Sequence, residues 1–136
     1  MNGPTILCEL LFRNTALMQL VPAGNVYVGF APLSAKKPNI AARMISSIDR
    51  KTVSMSEGER LITERVQASI KCDSYTALAK VVEVARAGTK LPRGNVGGFK
   101  VDSVIADDLP MYEFDDTEST HETSIDFIVK YVLKVT

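Results

Sequence analysis

Two kinds of hydrophobic rhythm alternate along this chain. Ile6, Leu7, Leu10, Leu11, Leu17 and Met18 recur at three- and four-residue spacing, the signature of one apolar helix face. Pro4 suits the first turn of that helix, because its fixed φ fits there and its missing N–H is no loss. Pro22 and Gly24 end it. Residues 25–30 are short, β-rich and bounded by Pro32, and predict a first strand. A basic, Pro-containing loop over 34–39 leads to a second strand over 40–49, and a polar connector over 54–60 follows.

From Leu61 the period becomes two. Ile62, Val66, Ala68, Ile70 and Cys72 face one way, and Thr63, Arg65, Gln67, Ser69 and Lys71 the other, which predicts a strand with one wet face. Glu64 falls on the apolar side, a position expected near the strand's exposed end. Asp73 or Ser74 caps a second helix whose buried stripe is Tyr75, Leu78, Val82 and Ala85, with Ala79 beside it and Gly88 as its stop. A Gly-rich loop over 92–98, expected to be mobile, precedes a fourth strand over 99–109, and an acidic loop over 110–120 leads to the clearest element. Between 122 and 135, Ile125, Phe127, Val129, Tyr131, Leu133 and Val135 alternate with Ser124, Asp126, Ile128, Lys130, Val132 and Lys134. About a dozen residues is long for a strand, so part of it is expected to be covered by another subunit. The order α-β-β-β-α-β-β predicts one α+β domain over 1–136, a mainly antiparallel sheet with both helices packed on one face. Leu10, Ile70, Leu78, Val82, Phe127 and Val129 are the expected core.

A length of 136 residues with 46% hydrophobic content and no Trp suits a single domain that needs no staples. Cys8 and Cys72 lie on apolar stripes and are expected as buried, unpaired thiols. With no signal segment at its start, no stretch of some 20 apolar residues and no glycosylation sequon, the chain is expected to fold in a cytosol, away from membranes. The net charge is zero, but residues 1–100 carry 14 Lys/Arg against 7 Asp/Glu and residues 101–136 carry 2 against 9. That segregation suits a protein that meets copies of itself, basic region to acidic region. Arg43, Arg50 and Lys51 on one side, and Asp115, Asp116 and Glu118 on the other, are the candidate inter-subunit or partner contacts.

Catalytic patterns are missing. The single histidine, His121, has no second His or triad partner. Gly94–Gly98 lacks the Lys-Ser/Thr of a phosphate loop, and Asp115, Asp116 and Glu118 lack the spacing of an EF-hand. Basic and aromatic residues are not interleaved as in single-strand nucleic-acid binders. No cofactor, metal or enzymatic activity is expected.

The order of elements resembles that of the tail terminator, or tail-completion (tail-to-head joining), proteins of long-tailed bacteriophages. An amphipathic N-terminal helix leads to the Val-Tyr-Val strand over 25–28, a Pro-containing loop and a strand over 38–47. After a hydrophilic connector, the alternating strand over 64–72 ends directly at the Ala-containing helix over 74–87. A Gly-containing loop, a strand and the acidic turn over 112–118 precede a last strand centred on Ser124-Ile125-Asp126-Phe127. The resemblance spans roughly residues 6–133 and is one of pattern; Val81, Val82 and Val84 stand in the second helix where relatives are richer in Ala and Leu. It implies a homo-hexameric ring in the virion, at the head-proximal end of the tail, assembled in the host cytoplasm. Such a ring caps the tail tube protein, stops its polymerisation, offers a docking surface to a head-completion or connector protein, and lets DNA pass without sequence-specific binding. The alternatives are a soluble dimeric small-molecule or regulatory binding domain, and an enzyme whose site forms between subunits.

Overall fold

A computed structural model describes residues 2–32, 34–50, 58–89, 94–107, 112–115 and 119–134. The first helical segment is broken in two. Helix α1 spans Gly3–Arg13, with Pro4 in its first turn as expected, and α2 spans Thr15–Leu20. Asn14 makes the break. It lies on the same helical phase as Leu10 and Leu11, yet it is polar and buried, so its amide must be satisfied locally. Its Oδ1 accepts from the Leu17 amide at 3.2 Å, capping α2, while its Nδ2 donates to the Val84 carbonyl at 3.0 Å.

Seven strands follow: β1 (Val26–Val28), β2 (Asn39–Arg50), β3 (Glu59–Cys72), β4 (Gly94–Val96), β5 (Phe99–Ala106), β6 (Glu113–Asp115) and β7 (Thr120–Lys134). Helix α3 (Tyr75–Gly88) lies between β3 and β4. The strands form one sheet in the order β1-β2-β3-β7-β5-β4, with β6 also paired to β7. β1 runs parallel to β2, and the other pairs are antiparallel. All three helices cover one face, so the α+β architecture holds with more elements than expected.

β3 carries out its sequence alternation to the end. Ile62, Glu64, Val66, Ala68, Ile70 and Cys72 are buried toward the helices, and their neighbours face out. β7 does the same through Ile125, Phe127, Val129 and Tyr131. Its length has an internal explanation: β3 pairs it from Cys72↔His121 to Glu59↔Lys134, and β5 and β6 pair its other side. The chain itself therefore supplies β7's neighbours, where the sequence suggested a second subunit. All six expected core residues are buried.

Ser74 caps α3, its Oγ accepting from the Ala77 amide at 3.1 Å. The buried stripe of α3 is Leu78, Val81, Val82 and Ala85. Tyr75 instead stands 55% exposed, because it starts the helix at the end of the sheet rather than over it. Gly88 is the last helical residue and Thr89 follows as the C-cap. In the 92–98 segment, Gly94–Val96 pairs with β5 as a hairpin through Gly97 and Gly98, both at positive φ, the backbone that glycine adopts without steric cost. The acidic segment likewise contains β6.

Candidate functional site

Three features of the fold carry polar or exposed chemistry. The first is a buried carboxylate. Glu64 is fully buried on the helix side of β3, which corrects the expectation that it lies near an exposed end. The first turn of α1 has free amide donors and a positive dipole end, and Glu64 answers both. Gly3 N–H donates to its Oε1 at 2.6 Å, Tyr131 O–H donates to the same oxygen at 3.2 Å, and Ser47 O–H donates to Oε2 at 2.9 Å. The Glu64 pKa is lowered: burial opposes ionisation, while the hydrogen bonds from Gly3 and Ser47 favour it. The Tyr131 hydroxyl is pushed up to about 12 by burial, with a further rise from the Glu64 charge. This group clamps α1 to the centre of the sheet. Its carboxylate is fully buried.

The second feature is the outer, helix-free face of the sheet. Arg65 on β3 donates to Asp126 on β7 at 3.0 Å and pairs with Asp107, just past β5, at 2.6 Å. These partners raise the Arg65 pKa, Asp107 most and Asp126 next. The three residues tie three strands together across the solvent face. Beside them Arg43 donates to Gln67 Oε1 at 2.9 Å and its guanidinium lies 5.1 Å from the centroid of the Phe30 ring, a cation–π distance.

The third feature is exposed apolar surface. Val28 and Phe30 are 60% and 75% exposed on the β1 side, and Ile45 and Ile48 stand out along β2. At the end of the strands away from Ile48, His121 packs on Phe114, ring centroids 4.6 Å apart, and reaches Tyr75 at 6.4 Å, with Tyr112 5.2 Å from Tyr75. His121 is therefore one ring of an aromatic cluster. Replacing it with Ala is expected to leave folding intact, with a melting temperature within a few degrees of wild type; a larger loss in thermal unfolding would show that the ring carries the cluster.

The charged candidates are spread apart. Arg43 sits mid-strand, opposite Gln67, and Arg50 ends β2, opposite Leu61. Asp115 lies opposite Thr120 at the far end of β7, about 40 Å from the Arg50 end at ~3.3 Å per strand residue. Lys51, Asp116 and Glu118 lie outside the described residues. Of the described candidates, Arg50 and Asp115 thus lie at opposite ends of the strands.

Cys8 and Cys72 are buried and unpaired. Burial, with Glu9 and Asp73 adding to it respectively, raises each thiol to about 11, so both stay protonated at neutral pH. Two surface hollows, of about 160 and 380 Å³, lie beside Phe30–Arg43 and beside Arg86–Ala106. Both are open to solvent, whereas small-molecule sites bury most of their ligand. Among the described residues no three His, Cys, Asp or Glu side chains gather as metal ligands, and no helix is long and apolar enough to cross a membrane.

No protein-family model matches the chain, and no curated protein matches it by sequence. Its fold is shared with a chain of a solved structure described as "Virion of native gene transfer agent (GTA) particle". The TM-score is 0.69 at 9% sequence identity, over 96% of this chain and 95% of that one. Helices, sheet and connections therefore correspond almost end to end, with nearly all side chains different.

Proposed function

We propose that this protein is a structural component of a phage-like virion, acting at the head-proximal end of the tail. In this role it caps the tail tube as a hexameric ring, ends tube polymerisation and forms the surface on which the head docks. The observation that carries the reading is the end-to-end fold correspondence with a chain of a gene transfer agent virion, in the same element order that resembles tail terminators. A non-enzymatic role is consistent with the polar groups described above. Glu64, Arg65, Asp107 and Asp126 are each engaged in holding the sheet, and both thiols are buried.

The separation of Arg43 and Arg50 from Asp115 along the strands suits this role. If the strands run along the ring axis, the Arg50 end of β2 faces one side of the ring and the Asp115 end of β6 the other. The two faces of the ring then offer opposite charge to two different partners, the tube protein and a head-completion protein, while DNA passes through the lumen without sequence-specific contacts. Exposed ion pairs are worth ~0–1 kcal/mol each, so these charges steer docking more than they hold it.

The test is to add the purified protein to growing tail tubes of its own particle. Electron microscopy is expected to show rings on tube ends and arrested growth, and sedimentation to show six-subunit particles. Docking should weaken as salt brings the Debye length below about 8 Å, and the R50E/K51E variant should dock poorly. Tubes that lengthen unchanged, with no protein at their ends, would refute the reading.

A further inference from the structure

The sheet is left open where its outermost strands run out. β1 covers only residues 40–42 of β2, and β4 only residues 99–101 of β5. Among the described residues, no strand pairs with the outer edge of β2 over 43–50 or with that of β5 over 103–106. Both stretches expose apolar side chains: Ile45 and Ile48 at 47% and 49% on β2, and Ile105 at 51% on β5. Neither contains Pro or Lys, the residues with which isolated proteins commonly blunt an edge against pairing.

We propose that these two edges join one another between copies, the β2 edge of one subunit adding to the β5 edge of the next so that the sheet continues across the contact. This rests on the ring reading above and specifies how its neighbours meet. Two observations select a second copy as the occupant. β2 and β5 run in opposite directions within one subunit, as the alternation β2-β3-β7-β5 requires. A copy rotated about an axis along the strands therefore presents them antiparallel without being turned over. The edges also carry opposite charge where the pairing begins: Arg43 on the first and Asp107 at the end of the second.

Side-chain facing fixes the register to alternate choices, because a one-residue slip would turn every side chain to the other face. Arg43 and Asp107 both belong to the outer face, where they reach Gln67 and Arg65. Placed opposite each other, they put Met44 against Ala106 and, past the bulge between Met44 and Ser46, Ser47 against Val104 and Ile48 against Ser103. Inward residues then meet inward residues and outward meet outward. Because two different edges are joined, the contact is heterologous, and repeated rotation closes a ring rather than a dimer.

The test uses two single-cysteine variants, I48C and S103C, with the buried Cys8 and Cys72 left in place. Mixed and oxidised, they are expected to form a disulfide between the two variants and none within either alone. The double variant should give a covalent ladder ending at the ring. I48C linking to itself would show a two-fold β2–β2 contact and overturn the proposal. Ring-sized particles by sedimentation with no cross-link would overturn edge pairing while leaving the ring reading intact. A chain that stays monomeric at every concentration would sink both. In parallel, I48K should keep the wild-type melting temperature and weaken self-association by about ten-fold or more, since a charged edge resists strand addition. Unchanged self-association at wild-type stability would again overturn it.

Discussion

Phe127→Ala should lower stability by about 3–5 kcal/mol and the melting temperature by on the order of 10–20 °C, the largest loss expected from one truncation here. Phe127 is fully buried at the middle of β7, opposite Val66 on β3 and Ala106 on β5. Its ring points into the layer between sheet and helices, where Leu7, Leu11, Leu78 and Val82 are also buried. β7 is held by strands on both sides, so the backbone cannot move in to fill the space, and the cost falls at the upper end of the range. Thermal or denaturant unfolding checks it. A variant as stable as wild type would mean that β7 shows its other face to the helices.

The second large effect concerns the Glu64 clamp. Glu64→Ala leaves the buried Gly3 amide and Tyr131 hydroxyl without their shared acceptor, at about 3 kcal/mol or more given the cost of buried unpaired donors. Gly3→Ala should damage the same contact from the helix side. A β-carbon there would stand 2.6 Å from Glu64 Oε1 and 2.8 Å from Val66 Cγ2, closer than packed atoms come, so α1 would have to lift. The clamp is also pH-dependent. A carboxylate whose folded pKa is depressed contributes stability in full above its unfolded value of ~4.3, and loses it as pH falls through the folded value. Wild-type stability should therefore drop on acidification below about pH 4–5, and Glu64→Gln should flatten that part of the profile while lowering stability at pH 7. Identical profiles for the two proteins would show that Glu64 is not ionised in the fold.

What could be read from the sequence was what repeats. β3, β7 and α3 announce themselves through sustained periods of two and 3.6, and most of their buried positions follow from it, Tyr75 and Val81 on α3 being the exceptions. Strands of three residues, β4 and β6, are too short to show a period, so their stretches read as loops. Asn14 sits on an otherwise apolar helical phase, and that misfit was the available sign of the break between α1 and α2. Glu64 gave the same kind of sign on β3. Its meaning depended on a donor 61 residues away in sequence, at the start of a helix whose docking no local pattern specifies. The charged candidates could be listed from the sequence, but the placement of Arg50 and Asp115 at opposite ends of the strands follows from the pairing of β7 with both β3 and β6. The open edges were equally invisible, since they are defined by which strands are absent beside them.

The position of β7 also bears on how this chain reaches its fold. The strand that joins the β1-β2-β3 half to the β5-β4 half is the one furthest along the sequence. Until it is available, the inner faces of both halves have no shared core to close around. The helices can form early, but the sheet gains its cooperative centre only when contacts spanning more than 60 residues, such as Val66↔Phe127, are made. Such non-local closure places folding toward the millisecond-to-second end of the range for domains of this size. During synthesis, then, the two halves of the sheet cannot close around a shared core until β7 has been translated.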